Sequence, residues 1–104
     1  MQRFDIAGMK SYGYDQREKN VFYETGEFKM RVIELAPAKS MLECEMMSYV
    51  VFVCIEGEAE VSAGGERITI SRGQCLVTEP TTLSMKTNAG ARLLGIRIAT
   101  RNAG

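Results

Sequence analysis

What most constrains this chain is its punctuation. Short apolar runs recur along it, and each ends at a glycine, a proline or a polar pair. No segment keeps a 3.6-residue apolar period over three turns, so no long amphipathic helix is expected. Phe28, Met30 and Val32 alternate with Lys29 and Arg31, the period of a half-buried strand. Pro37 stops that run, because proline cannot donate to a ladder. Val21–Glu24 precedes it across Thr25-Gly26-Glu27, a hairpin-like turn. Residues 58–62 and 67–70 flank Ala63-Gly64-Gly65-Glu66, and a Gly-Gly pair there supplies the positive φ that tight hairpins need. Residues 49–55 form a continuous β-branched and aromatic run that ends at Glu56-Gly57. Such a run reads as a strand covered on both faces. Cys75–Thr78, residues 84–87 and residues 92–98 are further strands. Pro80-Thr81-Thr82 reads as a loop and Asn88-Ala89-Gly90 as a turn. Residues 1–20 are mixed and polar, an irregular arm with room for one short strand. The expected class is all-β, with about eight to ten short strands in a sandwich or a jelly-roll barrel.

Composition narrows the function classes. A chain of 104 residues is one domain. Folding should bury roughly 65% of its extended-chain surface, enough for a core without disulfide or metal staples. Lys+Arg and Asp+Glu are 13 each, so the formal net charge is zero. Nucleic acid is therefore not an expected partner, since phosphate binding needs a basic excess. With no histidine, every imidazole mechanism is excluded. Cys44, Cys54 and Cys75 are an odd number with no close pair, which is not a disulfide framework and points to a reducing cytoplasm. Residues 1–6 lack the basic start and apolar core of a signal peptide. The most apolar stretch, residues 46–55, is half the length of about 20 that a spanning helix needs. A cytoplasmic location with no membrane partner is expected. The seven methionines read mainly as packing residues.

Three pieces carry a family resemblance. Leu35-Ala36-Pro37-Ala38 resembles the turn into the first cupin motif. Ile55-Glu56-Gly57-Glu58-Ala59-Glu60-Val61 resembles the strand and Gly-Glu turn that end it. Gly65 through Ser71-Arg72-Gly73-Gln74 resembles the start of the second motif. The stretch from Leu35 to Ile98 is thus similar to a small single-domain cupin, a double-stranded β-helix or jelly-roll barrel. The resemblance implies one domain over residues 1–104, with an N-terminal arm and first strands over 1–28 and the barrel over 29–100. With Gly57 as the last glycine of the first motif, its glutamate position falls on Val50, its two histidine positions on Cys44 and Met46, and its first glycine on Ala38. The third histidine position is set near Ser84. All four metal-ligand positions have changed. Metals of the kind cupins hold want imidazole nitrogen and carboxylate oxygen, so no metal cofactor and no metal-based activity is carried over from the family.

The reading that follows is a metal-free cupin-like protein that binds a small molecule in its barrel pocket, with no catalytic residue assigned. The pocket candidates are Cys44, Met46, Val50, Phe52, Ser84 and Glu79. Two other readings stand beside it. One is a metal-independent isomerase or lyase acting on a sugar or small acid, for which Glu79 is the first carboxylate to test. The other is soft-metal binding, Cu(I), through Cys44 and Met46, with Met85 or Cys75 as extra donors. The resemblance also implies a homodimer. Phe4, Ile6, Tyr12, Tyr14, Phe22 and Tyr23 give the arm enough apolar area to cross to a partner sheet.

Overall fold

The computed structural model describes residues 1–99, with the Tyr14 side chain excepted. The expected arm contact at Tyr14 and the barrel's expected last residue, 100, lie outside the described residues. Eight strands follow one short helix: a 3₁₀ helix at Tyr14–Asn20, then β1 (Val21–Glu24), β2 (Phe28–Leu35), β3 (Ser40–Met46), β4 (Tyr49–Ala63), β5 (Glu66–Ser71), β6 (Cys75–Thr78), β7 (Thr81–Lys86) and β8 (Ala91–Ile98). All pairings are antiparallel, and the spatial order is β1-β2-β8-β4-β7-β3, with β5 and β6 also paired to β4.

β4 is the element that turns these strands into a barrel. Its first half pairs with β6 and β8, and its second half with β5 and β7. One strand therefore serves two sheets, which curl toward each other. The sequence suggests two strands broken at Glu56-Gly57; the structure instead runs one strand through a bulge there. The bulge reverses which parity faces inward. Val50, Phe52 and Cys54 are buried before it, Ala59 and Val61 after it. Gly57 makes the switch possible at φ +75, where a Cβ would stand 2.0 Å from the Gly90 carbonyl oxygen. Thr87 braces the same corner: its hydroxyl donates to the Glu58 carbonyl at 2.7 Å and accepts from the Gly90 N–H at 3.0 Å.

The core joins both sheets through Phe52, Cys54, Val61, Ile70, Leu83, Met85 and Leu93. The β4–β5 hairpin turns at Gly64 and Gly65, both with positive φ, as the Gly-Gly pair implies. Thr81 and Thr82 belong to β7 rather than to the expected loop, because they pair with Met46 and Glu45 of β3.

The arm forms no strand. Its ordered turn is the 3₁₀ helix, held by Asn20, whose side chain accepts from the Tyr12 N–H at 2.8 Å and donates to the Tyr12 carbonyl at 3.0 Å. Arg92 fastens the segment before it. One guanidinium nitrogen donates to the Ile6 and Met9 carbonyls, and the other pairs with Glu34 at 3.0 Å. Phe4 packs on Phe22 and Tyr23, and Tyr23 stacks on Phe28. Phe4 of the arm thus packs on β1 of its own chain.

Candidate functional site

The arm decides which face of β2 looks into the barrel. Val32 is 1% exposed yet lies outside the main core cluster. It is covered from the arm side, so the apolar parity of β2, Phe28, Met30 and Val32, faces outward. Lys29, Arg31 and Ile33 face inward. The register continues this across the sheet. Arg31 lies opposite Gly95, which lies opposite Phe52, which lies opposite Leu76. One step nearer the end, Lys29, Arg97, Val50 and Thr78 stand side by side. Partners in an antiparallel ladder present their side chains on one face.

The β2, β8 and β4 members of these rows floor an inner pocket of about 60 Å³ at the barrel mouth, while Leu76 and Thr78 of β6 line a neighbouring cleft. Met41 and Met46 of β3 and Leu83 of β7 close it from the other sheet. Among the described residues its charged lining is Lys29, Arg31 and Arg97. Lys29 and Arg97 also line an outer cleft of about 490 Å³ beside Thr25, Gly26 and Ser48. Arg97 donates from Nε to the Ser48 hydroxyl at 3.4 Å. Lys29 meets Glu24 at the rim, 3.7 Å away. Gly95 sits in the strand without positive φ, so its backbone does not demand glycine. Space does: a Cβ there would come within 3.0 Å of Ile33 Cδ1 and 3.6 Å of Arg31 Cγ.

Of the six pocket candidates from the sequence, Met46, Val50 and Phe52 meet at this mouth. Cys44 is exposed, with its thiol 3.7 Å from the Glu45 carbonyl. Ser84 is displaced from the expected pocket. It alternates with inward Leu83 and Met85, so it faces the opposite side of β7, in a hollow with Ser62, Arg67 and Lys86. Glu79 is also elsewhere, exposed in a separate cleft of about 450 Å³ with Ile68, Leu76 and Thr81. The reading of the residues missed Lys29, Arg31, Gly95 and Arg97. Their signal was the charged parity of β2 and a glycine inside β8. Simple alternation assigns such charges to solvent, because it does not count a covering arm.

Metal chemistry does not fit the mouth. Val50 and Phe52 offer no donor, and the nearest sulfurs are the thioethers of Met41 and Met46. Among the described residues no group of three or more cysteine, aspartate or glutamate side chains is placed to hold a metal ion. The soft-metal donors do not converge either. Met85 is 2% exposed within the core, and Cys75 is exposed on a strand whose inward positions are Leu76 and Thr78. The third thiol, Cys54, is buried and donates toward the Glu56 and Gly57 carbonyls at 3.5 and 3.4 Å.

No family model matches the sequence, and a search of curated proteins finds no match. Solved structures do match in shape. A cupin superfamily protein from Desulfitobacterium hafniense superposes with a TM-score of 0.71 at 14% identity, over 77% of this chain and 74% of that one. A cupin-2 domain protein from Shewanella frigidimarina gives 0.64 at 15% identity, over 76% and 78%. KdgF from a Halomonas species gives 0.69 at 13% identity, over 78% of each chain. At such identities the likeness is one of fold. No helix among the described residues is long and apolar enough to cross a membrane.

Proposed function

We propose that this chain, a small single-domain cupin by fold, binds a small molecule in its barrel mouth without a metal. The observation that carries the reading is the inner pocket itself. An apolar floor of Val50, Phe52, Leu83 and Met46 meets a few polar groups that converge from β2 and β8. Ligand sites are usually built this way, largely apolar with a few placed polar groups. The same lining favours binding over turnover. Among the described residues it contains no carboxylate, thiol or phenol, and its one amine, Lys29, is held toward Glu24 at the rim, 3.7 Å away. Glu79 stands in another cleft, which weighs against the isomerase or lyase alternative.

The test is a two-dimensional NMR screen of the full chain against a library of small metabolites in a chelated buffer. Hits should shift the Phe52, Gly95 and Met46 amides together. Shifts clustered around Glu79 and Thr81, or loss of all binding when metal is removed, would contradict the reading.

We also propose a homodimer, supported by the outer face of the β6-β4-β8 sheet. There Val51, Val53 and Ile55 are only half-buried, and Val77 and Tyr49 are 62% and 46% exposed. Val51 lies between Ile96 and Val77 in the ladder. The continuous apolar run of β4 calls for cover on both faces, and the described residues cover one of them fully.

A further inference from the structure

We infer that the barrel mouth is a site for a small organic anion, one with an apolar group and a carboxylate or phosphate head. The inference rests on the binding reading above and names the ligand's chemistry. Three cations, Lys29, Arg31 and Arg97, line one pocket, and no acidic side chain lines it with them. The chain as a whole is neutral, so this is a local excess. Like charges gathered beside an apolar floor repel each other, and an anion relieves that repulsion.

Their partners leave the charge largely unspent. The Arg31 side chain is half-buried and makes no hydrogen bond or ion pair with another described residue. Arg97 uses Nε on Ser48, a neutral hydroxyl, and lines both the inner pocket and the outer cleft. The carboxylate that meets Lys29 among the described residues, Glu24, lines the outer cleft rather than the inner pocket, is 58% exposed and lies 3.7 Å away. A guanidinium fork fits planar carboxylates and phosphates with paired hydrogen bonds.

Gly95 lets these side chains pack closely over β8: a Cβ there would meet Ile33 Cδ1 at 3.0 Å, Arg31 Cγ at 3.6 Å and the Phe52 ring at 3.7 Å. The aliphatic stem of Arg31 thus lies near the Phe52 ring, where the charged and apolar parts of the pocket lining meet. An apolar group in the pocket beside Phe52 would carry its anionic head toward Arg31 and Arg97.

The test titrates the full chain at low ionic strength with butyrate, butyl phosphate and butyramide, reading amide shifts at Arg31, Phe52 and Gly95. The expected result is at least tenfold tighter binding of one or both anions than of the neutral amide. The tighter anion identifies the head group. Arg31→Met and Arg97→Met should each weaken anion binding at least tenfold while keeping a folded spectrum. Equal binding of butyramide at these amides would overturn the anion and leave barrel binding standing. So would wild-type affinity in both arginine variants. No shift at these amides with any probe would overturn the anion site, while the metabolite screen would still decide the broader reading separately.

Discussion

Ala38 holds a backbone conformation that an L-residue disfavours, with φ at +64. It also stands where the first glycine of the cupin motif falls. Its N–H donates to the Asn88 carbonyl at 2.9 Å, which fixes the turn into β3. Ala38→Gly should therefore stabilise the fold by about 1 kcal/mol, since the left-handed penalty disappears. A urea midpoint that moves upward checks this. Gly57 is the opposite case. A Cβ would collide with the Gly90 backbone, so Gly57→Ala should cost about 3 kcal/mol or more and lower the melting temperature on the order of 10–20 °C.

Cys54 sets the alkaline behaviour. Burial pushes its thiol up, the hydrogen bond to Glu56 works against this, and the Glu58 charge adds to it. The folded state thus holds the thiol proton more tightly than the unfolded state does. Below the ordinary thiol value of about 8.5 both states are protonated and the group makes no pH dependence. Above it the unfolded chain ionises first, and stability falls as pH rises toward the folded-state value. Cys54→Ala should flatten that alkaline loss in denaturant titrations above about pH 8. Exposed Cys44 and Cys75 should react with a thiol reagent in the native protein, while Cys54 should wait for unfolding.

At this scale the sequence was legible where alternation alone decides, as at Val50 and Phe52. Motif counting sets Ser84 in the pocket, whereas strand parity sets it on the opposite face of β7 from Leu83 and Met85. The Cys75–Thr78 strand already contained Leu76, which alternation puts inside opposite Phe52.

Among the elements, β2 shows most clearly what a sequence conceals. Its pattern reads as an ordinary half-buried strand, and its existence and span agree with that reading. Its orientation depends on the arm, which covers the apolar parity and turns Lys29 and Arg31 into the barrel. Arg92 is the fastening of that arm, only 13% exposed and bonded to Ile6, Met9 and Glu34. Arg92→Ala should cost about 1–2 kcal/mol. Hydrogen exchange of the amides around Ile6 to Tyr12 should accelerate before that of the barrel strands does. Uniform acceleration through β4 and β8 would show instead that Arg92 supports the barrel directly. The join at Glu56-Gly57 reads as a break from sequence, because a glycine after a continuous apolar run marks a strand end as readily as a bulge. Only long-range pairing with β8 on one side and β7 on the other distinguishes them.

For the whole molecule, the fold class followed from short strands, turn residues and the spacing of Gly57, Gly65 and Gly73. Association and ligand depend on surfaces that no local pattern specifies. If the outer face of β4, β6 and β8 is the dimer contact, Val77→Glu should convert the particle to a monomer in sedimentation without unfolding it. A charge placed opposite itself across an isologous contact is repelled twice. An unchanged dimer mass would move the contact elsewhere. The central claim, a metal-free barrel that holds a small molecule, is tested most directly by native mass spectrometry of untagged protein purified under reducing conditions without chelator. The account predicts an organic mass increment that is lost in Arg31→Met, with no metal. A stoichiometric metal ion retained by the folded protein would contradict it.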